Sequence, residues 1–387
     1  MNDENKFHQF TQTTEPGPLQ QVQLIWMKDV QSKAIKWLWP GHLARGNLEI
    51  LTGIPEVGKS QLHCLIIACV TNGTTWPDGS PGCKPSHVIM LTAEDVLATV
   101  VKPRLQAAKA DVNKVVVLSC IKEDRKTRMF YLDDIEPLRR TIREIRASHG
   151  DVALVTLDPI TAYMGKSNSN VTSDVRGQLG PLKELAESED VAISAITHPP
   201  KNATSQRAID HFIGSQAFIA AARIGHMCTK EIERDENGKP EKDEAGEFIE
   251  TGRYLFTNPK NNINLKMPTW AYESNAVVVD QDAETGEAIS APYIVWKEQV
   301  GITADQAVRT ASARREKPNV AKFLKTALAN GPLKQEKLIE LAEVKDISLD
   351  QMKRAKDEAG VMSKKVGFGP DGYWEWRRIV HDQEIPF

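Results

Sequence analysis

The chain has 387 residues, with 49 Lys and Arg against 52 Asp and Glu, a net charge of −3 and 41% hydrophobic residues. That length supports one large domain plus a smaller one, and the near-neutral balance excludes a protein coated in basic residues, so any positive charge for a nucleic acid must be local. The five cysteines form no C-x-x-C and no zinc-spaced cluster, the first residues lack a signal-peptide core, and no apolar run reaches membrane-spanning length, so the expected location is cytoplasmic with no membrane partner.

In chain order, residues 1–22 are polar, contain Pro16 and Pro18, and are expected to form a mobile arm. Between residues 23 and 299, β-rich runs alternate with helical patterns. Strands are predicted at 47–52, 87–92, 115–119, 152–158, 191–197 and 253–258, and helices at 59–71, 95–110, 133–149 and 172–188. The strands are continuous apolar runs, which implies an α/β fold with a mostly parallel sheet covered by helices on both faces. Ligands then belong at the carboxyl ends of the strands. Residues 230–251 carry the turn signals ENGK and DEAGE and read as a protruding hairpin or mobile loop. Residues 300–317 read as a linker or linker helix. The last segment, 318–380, has helical spacing at 319–329, 334–343 and 349–359, followed by a hairpin turning at Pro370-Asp371-Gly372. Three helices and a hairpin make the winged-helix plan, with Trp374 and Trp376 expected to pack it.

The most specific pattern is Gly53-Ile54-Pro55-Glu56-Val57-Gly58-Lys59-Ser60, which matches G-x-x-x-x-G-K-[ST] between a strand and a helix; Gln61 follows in the first helical turn. The glycines permit close backbone approach, the loop amides face an anion, Lys59 reaches the β- and γ-phosphates, and Ser60 offers its hydroxyl to Mg²⁺. ATP and Mg²⁺ are therefore the expected ligands. Asp158 ends the apolar run ALVTLD, either as a carboxylate for the Mg²⁺ water shell or as a surface residue at a strand end. Glu94, after VIMLTA, is the expected base for the attacking water; Asp95 either caps the next helix or supports Glu94. His198 ends ISAITH, as a sensor of the γ-phosphate or as an exposed strand-end histidine.

Taken together, these residues resemble the RecA-fold ATPases of plasmids, phages and mobile elements related to the RepA-type hexameric replicative helicases. WLWPGHLARGNLEILTGIPEVGKS is similar to that family's approach to its P-loop, SHVIMLTAEDVLATVVKPRLQAA to its Glu-Asp block, and VTLDPITAY and ITHPPK to its later strand ends. GSQAFIAAARIGHM resembles a helix ending in Arg before a strand. One departure is Glu56, where the family usually has Gly. The resemblance implies a homo-oligomeric ring, commonly a hexamer, with Lys59, Ser60, Glu94, Asp158 and His198 acting within one subunit and Arg104 near the phosphates. It further implies that Arg223 enters a neighbour's site, although the residue also reads as a helix C-terminal cation; Arg207 is the alternative finger.

The same resemblance implies that two loops, at about 163–176 and 199–213, face single-stranded DNA with Lys166, Arg176, Lys201 and Arg207. The leading expectation is an ATP-driven DNA helicase or translocase serving replication of a mobile element, with a primase or initiator partner supplied by another protein. A non-motor ATP switch and a recombinase-like annealing protein are the competing expectations. In the C-terminal segment, Lys353, Arg354 and Lys356 of the third helix and Lys364 and Lys365 of the wing fit either a DNA backbone or a partner protein.

Overall fold

The computed structural model describes residues 25–123, 126–165, 172–199, 205, 207–212, 217–244, 246–313, 320–329, 331–343, 347–367 and 372–379. The expected N-terminal arm at 1–22, the DNA-loop residues Lys166 and Lys201, and the last part of the expected linker lie outside these. The chain divides into two units, Met1–Ile35 and Lys36–Phe387. The described part of the first contains one short 3-10 turn, Met27–Asp29, with Ile25, Trp26 and Met27 exposed.

The second unit is built on a nine-stranded sheet. Its strands are β1 (Leu48–Gly53), β2 (His87–Thr92), β3 (Val115–Val117), β4 (Val152–Asp158), β5 (Ala192–Ile196), β6 (Ile224–Ile232), β7 (Glu250–Asn261), β8 (Thr269–Gln281) and β9 (Ala288–Val300). Across the sheet the order is β9-β8-β7-β6-β1-β5-β4-β2-β3. From β6 to β3 all neighbours are parallel, while β7, β8 and β9 continue the sheet as antiparallel strands. The sheet is thus mixed and mostly parallel.

Helices cover both faces because successive strand residues point to opposite sides. Ile89 and Leu91 of β2 join one core with Leu138 and Ile142 of α3 (Ile135–Ser148) and Leu179 and Leu182 of α4 (Thr172–Ser188). Val88 and Met90 join the other core with Leu62 and Ile67 of α1 (Lys59–Asn72) and Leu105 of α2 (Lys102–Ala107). Each such side chain contributes about 1.5–3 kcal/mol when fully buried, which fixes the helices on the sheet.

All six expected strands lie in this sheet. The long β8–β9 hairpin was missed. Its outer half, from about Ser274 to Ser290, is largely exposed, so no continuous apolar run marks it. The polar 230–251 segment connects β6 and β7 as a hairpin, with bridges Arg234↔Pro240 and Lys242↔Phe248. In the expected linker, α6 (Ala304–Ala313) buries Ala307 and Val308 against residues of β6, β7 and β8.

The C-terminal segment forms a small antiparallel sheet with helices. It contains α7 (Val320–Ala327), α8 (Gln335–Glu343), α9 (Leu349–Arg354) and α10 (Lys356–Ala359), and strands β10 (Leu333–Lys334), β11 (Val361–Val366) and β12 (Tyr373–Arg378) in the order β10-β12-β11. Leu324, Leu338, Met352 and Trp376 form its core. The third expected helix is two helices that meet at Ala355, and Trp374 is 47% exposed, so of the two tryptophans Trp376 alone packs as expected. Among the described residues, no helix is long and apolar enough to cross a membrane.

Candidate nucleotide site

Strand register decides which side chains meet. Gly53 pairs with Cys228, Thr92 pairs with Asp158, and the Thr197 amide donates to the Leu51 carbonyl. The ends of β1, β2, β4 and β5 therefore share one edge, and that edge carries Lys59, Glu94, Asp158 and His198. The Ala93 amide bonds the Asp158 carbonyl at 3.1 Å, which holds the Glu94 turn beside the end of β4.

The loop from Gly53 to Ser60 wraps the start of α1. Gly58 is the N-cap residue with φ +78°, and a Cβ on Gly53 would lie 2.5 Å from the Cys228 carbonyl, so glycine is required there. Glu56 is exposed and also sits in left-handed backbone, at φ +66°. For a non-glycine residue this costs about 1 kcal/mol, which accounts for the glycine usual at this position. Among the described residues, the amides of Glu56, Val57 and Gly58 donate to no protein acceptor. An anion fits such a ring of unpaired donors at a helix N-terminus.

Lys59 is buried, and its ammonium donates to the carbonyls of Gly53 at 2.8 Å and Ile54 at 2.9 Å. Burial lowers its pKa; Cys228, Asp158 and Glu94 oppose that shift. Burial raises the pKa of Asp158, while the Ser60 hydroxyl, which hydrogen-bonds its carboxylate, acts the other way together with Lys59 and His198. His198 is driven toward its neutral form by burial and by Lys59. Glu94 is exposed, where solvent water reaches it.

These groups fit Mg²⁺ with a nucleotide. Ser60 and Asp158 are hard oxygen donors already in contact, and no three His, Cys, Asp or Glu side chains among the described residues form a metal cage of their own.

Arg104 of α2 pairs with Asp95 at 2.6 Å. Asp95 caps nothing: the helical turn Leu97–Val101 has Val96 as its N-cap, without a side-chain bond. Its role is to hold Arg104 beside the Glu94 turn. Gln61 folds back toward Gly58. Arg176 is exposed on the first turns of α4, and Arg207 is exposed next to the turn Ala208–His211. Of that turn, His211 lines a small cavity with Ile54 and Pro199; Arg207 is not among the residues that line it.

Arg223 does not join the site in its own chain. Its amide bonds the Leu48 carbonyl at the start of β1, the opposite end of that strand from Gly53. It forms a basic cluster there with Lys260 and Lys183, and Lys260 has its pKa lowered by burial and by those two cations. Lys260 also donates to the Ile219 carbonyl at 2.5 Å.

Two supports of the loop come from the hairpin that the sequence pattern did not reveal. Tyr272 of β8 donates its hydroxyl to the Val57 carbonyl at 2.5 Å, and Ile294 of β9 packs against Gly58. The only signal available was an aromatic and an aliphatic residue in separate short apolar stretches.

One layer beneath the loop lies a second polar cluster that sequence reasoning also missed. Glu49, four residues before Gly53, accepts from the Ser194 hydroxyl, and Ser194 meets His63 Nε2 at 2.9 Å. The other Glu49 oxygen meets His226 Nδ1 at 2.9 Å, and His226 Nε2 meets His42 Nδ1 at 3.0 Å. All five side chains are buried. Burial raises Glu49 to about 7 and lowers His63 to about 4 and His226 to about 3. With Glu49 protonated, each donor finds an acceptor in one direction: His63 to Ser194, Ser194 to Glu49, Glu49 to His226, His226 to His42.

Residues 13–204 match the model of a family described as an AAA domain, and this part of the chain is a P-loop domain similar to that family. The match ends before β6, Tyr272 and Ile294. No curated protein matches the chain.

Proposed function

We propose that this P-loop domain hydrolyses ATP to drive a DNA helicase or translocase that works as a ring of identical subunits. The observation that carries the hydrolytic part is the convergence of Lys59, Ser60, Glu94, Asp158 and His198 on one sheet edge. Lys59 exchanges its two carbonyl partners for phosphate oxygens, and the free loop amides hold the rest of the triphosphate. Glu94 orients the attacking water and accepts its proton. His198, neutral through burial, reads the γ-phosphate by a hydrogen bond and passes its presence to the loop that follows. Ser60 and Asp158 would hold Mg²⁺, which would supply positive charge to neutralise the phosphates.

Arg223 is remote from its own nucleotide edge, so any phosphate it meets belongs to another chain. With Lys260 and Lys183 it makes a basic cluster suited to a neighbour's site, which supports the ring reading. Arg207, exposed beside the turn Ala208–His211, suits the DNA-facing loop, together with Arg176, Lys166 and Lys201. The C-terminal segment we read as a winged-helix-like module, and a primase or initiator as a further partner.

Steady-state ATP hydrolysis with and without single-stranded DNA, measured beside the mass in solution, tests this. The reading expects stimulated turnover by an assembly of several chains. Turnover by a monomer that ignores DNA would leave a switch-like ATPase and remove the motor. In mixtures, Arg223→Ala and Lys59→Ala chains should partly restore each other, since each supplies what the other lacks.

A further inference from the structure

The net charge of the chain conceals a separation. Between residues 320 and 379 there are twelve Lys and Arg against nine Asp and Glu, leaving 37 against 43 in the rest. Within the C-terminal module the excess is not on the third helical segment. There Lys353, Arg354 and Lys356 face Asp350, Asp357 and Glu358 in equal number, Lys353 sits 3.9 Å from Asp350, and Lys356 is occupied by Ser363 and the Trp376 ring.

The excess lies on the β11–β12 hairpin. Lys364, Lys365, Arg377 and Arg378 stand on its two strands with a single carboxylate, Glu375. Among the described residues none of these four cations has an ion-pair partner, in contrast to Arg45, Arg139, Arg143 and Arg253 of the large domain, each paired within 3.0 Å. Register sorts them. Lys364 lies opposite Glu375 and Arg377 opposite Met362, on the face turned away from Trp376. Lys334 of β10 pairs in register with Glu375 and adds a cation to that face, its ammonium 4.4 Å from the Tyr373 ring. Lys365, opposite the half-exposed Trp374, and Arg378, at the other end, alternate onto the Trp376 face and are not part of the outer one.

Lys334, Lys364 and Arg377, without carboxylate ion-pair partners among the described residues, line one face of an extended ribbon, which matches the negative charge of a phosphodiester backbone and calls for no contact to base edges. We propose that the outer face of this hairpin, rather than the third helical segment, binds the backbone of a nucleic acid without sequence preference. This surface is independent of the nucleotide site.

The test is the affinity of the full chain, without nucleotide, for fluorescent mixed-sequence DNA, single-stranded and duplex, across a salt series. The double variant Lys334→Glu/Lys364→Glu should weaken binding at least tenfold and reduce the slope of log affinity against log salt by about 1.5–2, as expected for two lost phosphate contacts. Lys239→Glu/Lys242→Glu makes the same charge change on the β6–β7 connection and should leave both quantities as they are. ATP hydrolysis without DNA should be unchanged in both variants, which also establishes that they fold. Equal affinity of the two double variants for both DNA forms would overturn the proposal and leave the face to a protein partner. Hairpin binding that persists in a Lys59→Ala background would stand even if the motor reading failed.

Discussion

The nucleotide edge and the buried chain one layer below it use the same kinds of group on the same strands, and they differ in what is left unsatisfied. In the chain from His63 to His42, each acid, hydroxyl and imidazole between the ends is matched to the next. At the edge, the loop amides lack acceptors, Glu94 faces solvent, and Lys59 rests on carbonyls that a phosphate can replace. A polar cluster whose inner groups are matched holds strands together, with only His63 Nδ1 and His42 Nε2 at its ends left without a hydrogen bond. One whose loop amides and carboxylate are open awaits a ligand. Perturbed titration alone does not distinguish them, since both clusters are shifted by burial.

The largest expected effect belongs to the open cluster. Lys59→Ala should lower nucleotide affinity and turnover by about 10²–10³-fold, the scale of a lost charge-stabilising donor, while thermal stability stays near that of the parent. Glu94→Gln sharpens the contrast by separating binding from chemistry: nucleotide should still bind, measured by fluorescence titration, with turnover reduced about 10²–10⁴-fold.

The closed cluster should answer in stability instead. Glu49→Ala removes the acceptor of the Ser194 hydroxyl and the partner of His226 Nδ1, and should cost about 2–4 kcal/mol in chemical denaturation. Glu49→Gln retains one acceptor and one donor and so imitates the protonated acid. Because Glu49 is raised to about 7 in the folded chain, it binds its proton more tightly there than when unfolded. Its contribution is complete below its ordinary value of 4.5 and is lost as pH rises through about 7. His63 and His226 are lowered and act oppositely, with their contribution complete above 6.5 and lost as pH falls toward 4 and 3. The stability of Glu49→Gln relative to the parent should therefore rise between pH 4.5 and 7, by up to ~3 kcal/mol. A flat difference curve would mean that Glu49 is ionised throughout.

The smallest effect should come from Glu56→Gly. It removes the left-handed strain of a side-chain-bearing residue and should stabilise the chain by about 1 kcal/mol or less, offset in part by the added freedom of glycine when unfolded.

Much of the nucleotide edge was legible in the sequence because its parts are local. A P-loop is one continuous segment, and Asp158 and His198 announce themselves as single polar residues ending apolar runs. Topology was legible for the parallel strands, whose continuous apolar character follows from burial on both faces. The rest depends on pairing that no local window contains. Glu49, His63 and His226 lie singly in NLEILT, QLHCLII and RIGHM, where nothing indicates that they meet. The β8–β9 hairpin is buried only in its inner half, where Ala271 and Tyr272 are buried in succession, and gives no clean alternation. Arg223 is expected at the end of a helix entering a strand; the helix Ala217–Ala221 stops two residues before it, and which end of the sheet it occupies follows only from its bond to Leu48 at the start of β1.

The loop that grips phosphate is shaped by contacts far along the chain: Cys228 against Gly53, Ile294 against Gly58, and the Tyr272 hydroxyl on Val57, 215 residues away. During synthesis, Lys59 leaves the ribosome long before any of these. A nascent chain halted after residue 204 carries the whole motif without its scaffolding, so ATP should add protection against proteolysis only once the ribosome has passed the end of β9.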